Sequence, residues 1–167
     1  MSIDAYYEAQ SIVRRAAQTG GAEVRERPIW PGSASTTRYA EPLAAIRAAR
    51  VLEDAARRVA RDNVRYARQD GATWQQVGEA LGLAADGEQD GYDLAVAAYE
   101  HAAGPSDAWH QSSFSWGCTA CGSAIADRGP YESHPDDNER GHADTCRRHA
   151  AAVAAWQAER DAWEAGK

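Results

Sequence analysis

Two short segments of the sequence decide how its C-terminal third folds: Cys118-Thr119-Ala120-Cys121-Gly122 and His142-Ala143-Asp144-Thr145-Cys146. Two cysteines separated by two residues form a turn that can aim both sulfurs at one point. A histidine and a cysteine four positions apart on a helix would aim at the same point. Three thiolates and one imidazole that converge in this way are typical ligands of a closed tetrahedral zinc site. The sequence therefore predicts Zn²⁺ bound by Cys118, Cys121, His142 and Cys146.

The fourth ligand has one main alternative, His149, while His134 is interpreted as a loop histidine. His149 lies three residues after Cys146, on the same face of the predicted helix. His142 is preferred because of its four-residue spacing from Cys146. Four protein ligands leave no coordination position for the water molecule that a catalytic zinc site retains. We therefore predict a structural metal and a protein that is not an enzyme, with a metal-dependent hydrolase or nuclease as the third-ranked alternative.

The residues around these ligands predict a hairpin, a loop and a helix. Residues 114–116 alternate between apolar and polar side chains, as in a short strand, and residues 123–126 are predicted to be the partner strand of a hairpin. A polar loop over 127–141 follows, and then a helix from His142 or Ala143 to about Ala165. This order resembles the zinc-finger and zinc-ribbon class in a general way. In such a module the metal substitutes for a hydrophobic core that so short a segment cannot easily build.

Length and composition suit one helical domain joined to a small metal module. The chain has 167 residues and 44% hydrophobic residues, many of them alanine. No run of 18 apolar residues predicts a membrane span, and no signal peptide is recognisable at the N-terminus. Three cysteines in such a chain favour a metal over disulfides, and hence a cytoplasmic location. The basic residues are 17 arginines and one lysine, a ratio that indicates a bacterial genome of high GC content.

Charge is distributed unevenly along the chain. Residues 1–68 contain 12 arginines against 8 acidic residues, a net charge of +4. Residues 69–127 contain nine acidic residues and neither lysine nor arginine, and residues 128–167 have a net charge of −2. A weakly basic N-terminal part is therefore followed by a strongly acidic middle part, and this partition bears on partners more than the total of −7 does.

The N-terminal half is predicted to contain two helices. The first starts near Ser2 and ends at Gly20-Gly21, and residues 21–40 are predicted to be a connector in which Ile29-Trp30 packs onto the core. Proline at position 42 begins a long helix, 42–70. Its predicted packing seam repeats every seven residues and offers a route to a dimer. The seam consists of Leu52, Val59 and Tyr66.

One face of the long helix carries an arginine stripe. The favoured interpretation is a solvated face whose arginines pair locally with Glu53, Asp54 and Asp62. The alternative is a surface that binds phosphates or an acidic partner. The stripe contains Arg50, Arg57, Arg61, Arg65 and Arg68.

Residues 71–83 predict a short capped helix and a turn. Thr73 and Gln76 have the spacing of a capping box, and Gly82 ends the helix. Gly78 would allow a second helix to cross closely. The segment resembles the first helix and turn of bacterial helix-turn-helix regulators, which implies a helix-turn-helix-like unit over 71–103.

The second half of this unit departs from that family. Its predicted helix, from Tyr92 to Ala103, has no lysine or arginine and presents Asp93 and Glu100 outward. Carboxylates near the groove oppose DNA binding, which depends on neutralising phosphates. We therefore expect protein contacts instead, through an acidic surface and the metal-held loop. The predicted partner-binding residues are Asp86, Glu88, Asp90, Asp93 and Tyr131.

The sequence as a whole predicts a mainly α protein: a helical module over 1–103, a linker over 104–112, and a zinc module over 113–167 with a small hairpin and a C-terminal helix. The predicted function is a non-enzymatic regulatory adaptor, linked to transcription and acting through protein contacts. The alternative is a direct DNA-binding regulator. It would contact DNA through Arg57, Arg61, Arg65, Arg68, Arg147 and Arg148.

Overall fold

The computed structural model describes residues 3–83, 90–104 and 113–167. Over these ranges the protein is mainly α, with six helices and two small antiparallel sheets. The chain divides into two compact units, Met1–Val59 and Ala60–Lys167. This division differs from the predicted one, in which the boundary lay at 104–112. No helix in the described ranges is long and apolar enough to cross a membrane.

The first unit contains helix α1 (Ile3–Thr19) and a β-hairpin of strands β1 (Val24–Pro28) and β2 (Thr36–Ala40). The prediction of a connector over 21–40 is therefore wrong, because Thr36, Thr37 and Tyr39 favour a strand that pairs with β1. Ile29 and Trp30 follow β1 and are 54% and 62% exposed, so the prediction that they pack onto the core is also wrong.

Helix α2 (Pro42–Asp70) begins and ends as predicted and contributes residues to both units. The Glu41 carboxylate accepts hydrogen bonds from the backbone N–H groups of Leu43 and Ala44, at 3.1 and 2.8 Å, and these bonds lower the pKa of Glu41. The predicted packing seam is wrong: Val59 and Tyr66 are each 60% exposed. The fully buried residues of α2 are Val64 and Arg68 instead.

In the second unit, helices α3 (Trp74–Ala80) and α4 (Gly91–Ala103) pack closely together. Thr73 and Gln76 form the predicted capping box of α3. A methyl group in place of the Gly78 hydrogen would lie 2.7 Å from the side chain of Leu94, so only glycine permits this approach. The Asp90 carboxylate caps α4 through the Asp93 N–H at 2.8 Å.

The predicted hairpin is confirmed as strands β3 (Phe114–Gly117) and β4 (Ala124–Asp127). The loop predicted over 127–141 contains a helical turn, α5 (Pro135–Asn138), and a third strand, β5 (Glu139–Arg140), which pairs with β4. The C-terminal helix α6 (Arg147–Ala165) begins later than predicted and has no fully buried residue. Among its apolar residues, Ala150, Ala154 and Trp163 are exposed, while Val153 and Trp156 are half-buried.

One hydrophobic core joins the elements of the second unit. It includes residues of α3 and α4 together with the hairpin and two of the cysteines, so the segments on the two sides of 104–112 are packed as one body. Residues 105–112 themselves lie outside the described ranges. The largest members of this core are Trp74, Tyr99, Phe114, Trp116 and Ile125.

Candidate metal centre

Three cysteines and one histidine come together in the second unit. The potential ligand atoms of Cys118, Cys121, His142 and Cys146 all lie within 4.8 Å of one another. The sulfurs of Cys118 and Cys146 are 3.8 Å apart, and Nδ1 of His142 lies 3.4 Å from the sulfur of Cys146. A tetrahedral ion with bonds of about 2.3 Å to sulfur and about 2.0 Å to nitrogen would separate its ligands by roughly 3.5 to 3.8 Å. The group is therefore a possible metal site.

The turn between β3 and β4 places Cys118 and Cys121. The N–H of Gly122 donates to the carbonyl of Cys118 at 2.7 Å, which closes the turn. The backbone N–H of Ala143 and the side chain and backbone of Ser123 donate to the Cys121 sulfur, and together they lower its pKa to about 5. Burial raises the pKa of Cys118. Donors aimed at a sulfur stabilise a thiolate, which is the form that binds metals.

His142 and Cys146 reach the site from the segment between β5 and α6. The predicted reason for their convergence, a shared helical face, is wrong, because α6 begins only at Arg147 and Cys146 is its N-cap. The chain instead turns at Gly141, whose φ is +107°. A Cβ at Gly141 would lie 2.6 Å from the carbonyl oxygen of Ala124, so this close approach requires glycine.

The two nitrogens of His142 face different partners. Nδ1 faces the sulfurs of Cys146 and Cys121, at 3.4 and 3.8 Å, while Nε2 lies 3.0 Å from the carboxylate of Glu139. The side chain of His142 is 2% exposed. When a carboxylate accepts a hydrogen bond from the Nε2–H group, the proton stays on Nε2 and the lone pair of Nδ1 is directed at the cysteines. Glu139 therefore fixes the ring in the orientation and tautomer that a metal ligand needs.

A buried ion-pair network supports this arrangement and was not predicted. Glu139 pairs with Arg68, which also donates to the Asp127 carboxylate at 3.1 and 3.0 Å. Arg68 and Asp127 are 5% and 1% exposed. The Asp127 oxygens accept further bonds from the indole N–H groups of Trp74 and Trp116, at 3.1 and 3.0 Å. A charged pair so deeply buried is tolerated because its hydrogen-bonding capacity is satisfied.

The periodicity of β4 and α2 indicates this pair only once the buried faces of both elements are known from the structure. Burial alternates along β4, so Asp127 points to the same side as the buried Ile125. Arg68 follows the buried Val64 by four residues on α2. Both positions therefore predict inward side chains by periodicity, and an acid and a base that both point inward are candidates to pair.

His149, the alternative ligand, does not join the three cysteines. Its Nε2 lies 2.6 Å from the carboxylate of Asp136, and its ring stacks on that of His142 with the centroids 4.5 Å apart. It belongs to a second group of potential ligands with Glu139 and His142. In this second group, Nε2 of His142 faces Glu139. The nitrogen that His142 offers to the cysteine group is therefore Nδ1.

The arginines of the predicted nucleic-acid surface have separate environments. Arg57 pairs with Glu53 at 2.7 Å and Arg65 pairs with Asp62 at 2.8 Å, as the solvated-face interpretation predicts. Arg68 is buried, and Arg148 donates to the backbone carbonyls of Arg68 and Gln69. Internal partners thus occupy Arg68 and Arg148.

Arg61 and Arg147 are exposed. The guanidinium of Arg61 lies 6.0 Å from the ring centre of Phe114. Of the predicted nucleic-acid set, Arg61, Arg147 and Arg148 have no acidic partner among the described residues, and Arg148 bonds backbone carbonyls instead. The predicted stripe is therefore not one surface of free cations, because Arg68 is buried and Arg57 and Arg65 are paired with acidic residues.

The predicted partner-binding residues are placed in part. Asp86 and Glu88 lie outside the described residues. Asp90 and Asp93 are exposed at the start of α4. Tyr131 is 40% exposed, and its ring contacts that of Tyr99 edge to face at 5.6 Å. Burial and the nearby Glu100 carboxylate raise the pKa of Tyr131, so this tyrosine lies next to the acidic outer face of α4.

Comparison of the chain with protein-family models, with curated proteins and with solved structures finds no match. Any functional conclusion therefore depends on the residues and geometry described above.

Proposed function

We propose that Cys118, Cys121, His142 and Cys146 hold Zn²⁺ in a structural role. Three thiolates and one imidazole are soft to borderline donors, a set that favours zinc over magnesium or calcium. The separations of 3.4 to 3.8 Å among three pairs of these atoms support a tetrahedral ion. Bound there, the ion would supply a cross-link between the β3–β4 turn and the N-terminus of α6.

The burial of the site and the number of its protein ligands favour a structural role of the metal over a catalytic one. Cys118 and Cys146 are each 2% exposed, and four protein ligands complete a tetrahedron. The Glu139 carboxylate, which could serve as a base in a hydrolase, is paired with Arg68 and His142. These partners suit a residue that orients a ligand and do not suit one that accepts a proton from water.

We further propose that the protein is a non-enzymatic regulatory adaptor that binds a basic partner. The observation that carries this proposal is the outer face of α4, where exposed carboxylates and aromatic rings lie side by side. Tyr92 is 52% exposed beside Asp93, and Tyr131 contacts α4 next to Glu100. Tyrosine is enriched at protein interfaces, and exposed carboxylates beside it favour a partner of opposite charge. The proposed link to transcription depends on the helix-turn-helix-like order of α3 and α4.

The DNA-binding alternative has weaker support. The helix in the position of a recognition helix, α4, carries Asp93 and Glu100 and no arginine or lysine. Arg68 and Arg148 are engaged inside the unit. Phosphate contacts would have to come from Arg57, Arg61, Arg65 and Arg147, and two of these, Arg57 and Arg65, are already paired with Glu53 and Asp62. DNA affinity that is independent of sequence requires the neutralisation of many phosphates, so this set gives weak support.

A binding assay with two probes tests the adaptor proposal. We expect a labelled peptide rich in lysine and arginine to bind the zinc-loaded protein. Asp93→Asn with Glu100→Gln should weaken that binding at least about fivefold, because each substitution removes an exposed charge at the proposed interface. Glu8→Gln with Glu159→Gln is the matched control, because it removes two exposed carboxylates elsewhere and should change affinity less than about twofold.

Duplex DNA is the second probe. The proposal predicts no measurable affinity for it at about 0.15 M salt. Binding that falls steeply with salt and is abolished by Arg61→Ala with Arg65→Ala would contradict the adaptor and support the direct DNA-binding regulator. Equal weakening of peptide binding by both pairs of carboxylate substitutions would contradict the proposed surface.

A further inference from the structure

A second candidate site lies in the first unit, away from the cysteines. A cleft of about 340 Å³ opens between α1 and the β1–β2 hairpin. This volume is within the range of clefts that bind small molecules, about 300 to 1,000 Å³. Three tyrosines and three arginines dominate its lining: Tyr6, Tyr7, Tyr39, Arg14, Arg27 and Arg38.

The charge of the cleft is positive. None of the described residues that line it is acidic. Arg38 is paired with Glu26 at 3.1 Å on the neighbouring strand, but Arg14 and Arg27 have no carboxylate within ion-pair distance in the described part of the chain. Arg14 is half-buried and donates to the hydroxyl of Ser11 at 3.3 Å. Two unpaired guanidinium groups held over one cleft favour an anionic ligand, and phosphate fits their planar geometry best.

The aromatic groups of the cleft are available for stacking. Tyr6 and Tyr7 are 48% and 68% exposed, and their rings meet edge to face at 5.8 Å. The guanidinium of Arg27 lies 5.0 Å from the ring centre of Tyr39. Exposed tyrosine faces next to arginines are the elements with which proteins bind bases and phosphates of single-stranded nucleic acid.

We propose that this cleft binds a nucleotide unit, with the base against Tyr6 or Tyr7 and the phosphate between Arg14 and Arg27. Gln10 and Thr37 place an amide and a hydroxyl group in the lining, where they can bond the polar edge of a heterocycle. A phosphotyrosine ring has no such edge, so these groups favour a nucleotide over a phosphopeptide. The same nucleotide unit can come from a free nucleotide or from a single strand. This site is independent of the adaptor function proposed for α4.

Fluorescence anisotropy with a labelled single-stranded oligothymidine, and calorimetry with adenosine monophosphate, test the proposal on the full chain. At least one of the two probes should bind. Arg14→Ala with Arg27→Ala should weaken binding at least about tenfold and lower the salt dependence, because two phosphate contacts are lost. Tyr7→Ala should weaken it about fivefold or more through lost stacking. Arg14→Gln with Arg27→Gln, which keeps side-chain bulk, should reproduce the loss.

The matched control is Arg15→Ala with Arg58→Ala, two exposed arginines of the same unit that do not line the cleft. It changes the net charge equally and should alter affinity less than about twofold. Competition by adenosine monophosphate for the oligonucleotide would identify a free nucleotide as a sufficient ligand, and binding of the strand alone would identify a polymer.

Four results would overturn the proposal. They are no binding of either nucleotide probe at millimolar concentration, equal losses in the control and the cleft variants, inorganic phosphate binding as tightly as the nucleotide, and tighter binding of a phosphotyrosine peptide. The far-UV circular dichroism of each variant identifies those that fail to fold, and the glutamine pair then replaces the alanine pair.

Discussion

The variant Cys118→Ser is expected to lose its metal and the cooperative unfolding of the second unit. Cys118 is 2% exposed and belongs to the hydrophobic core of that unit. We therefore expect that loss of the metal also disturbs the packing of the core around Cys118. Structural zinc contributes roughly 10 to 16 kcal/mol of apparent binding free energy in small zinc-finger peptides. That is comparable with the about 5 to 15 kcal/mol that stabilises a typical domain. Metal analysis and near-ultraviolet circular dichroism during thermal unfolding would measure both losses.

His149→Ala is the matched control for this experiment and also decides the fourth ligand. The ring of His149 stacks on His142 but bonds Asp136, so its removal should leave one equivalent of metal bound. His142→Ala should lose the metal or bind it at least about tenfold more weakly. The reverse pattern, metal retained in His142→Ala and lost in His149→Ala, would show that the ligand set is wrong.

Replacement of Asp127 by alanine is expected to lower the free energy of unfolding by about 3 to 5 kcal/mol, the usual cost of leaving a buried charge without its partner. The substitution deprives Arg68 of two hydrogen bonds and leaves the indole N–H groups of Trp74 and Trp116 without their acceptor. Arg68 would retain Glu139, which in turn orients His142. Chemical denaturation of the metal-loaded protein is the measurement.

A double-mutant cycle with Arg68→Met separates the ion pair from the packing around it. The double variant should lose less stability than the sum of the two single variants, because each single substitution already removes the pair between Arg68 and Asp127. Glu164→Ala breaks the exposed pair between Arg160 and Glu164 on α6 and should cost no more than about 1 kcal/mol. A loss below about 1 kcal/mol in Asp127→Ala would contradict the structural role given to the buried network.

The parts of the fold that could be predicted are those in which the signal is local. The cysteine pair, the capping box at Thr73 and the close approach at Gly78 each depend on residues a few positions apart. The start of α2 at Pro42 and the alternation of Phe114, Ser115 and Trp116 in β3 are also local patterns. The four predicted metal-site residues come together in the structure, although the spacing of His142 and Cys146 was assigned to a helix that begins later.

The parts that could not be predicted depend on partners distant in the sequence. Arg68 was grouped with the exposed arginines of α2, since its partner Asp127 is 59 residues away. Strand β5 has only two residues and exists because it pairs with β4. The hairpin over 24–40 carries several charged residues, and these obscured the alternation that identifies a strand. In each case a long-range contact decides the conformation of a segment whose own pattern is weak.

The buried network and the metal site are connected in series. Asp127 accepts hydrogen bonds from Arg68, Arg68 forms an ion pair with Glu139, and Glu139 accepts a hydrogen bond from Nε2 of His142. This chain of contacts links α2 and β4 to a proposed zinc ligand. Arg68, which the alternative prediction assigned to DNA and the favoured one to a solvated face, lies instead in the core and pairs with the residue that contacts His142.

X-ray absorption at the zinc edge on the purified, metal-loaded protein tests the central claim most directly. We expect one equivalent of zinc surrounded by three sulfur atoms at about 2.3 Å and one nitrogen atom at about 2.0 to 2.1 Å, with no oxygen in the shell. A shell that contains water or carboxylate oxygen, or fewer than three sulfur atoms, would contradict the closed structural site formed by Cys118, Cys121, His142 and Cys146.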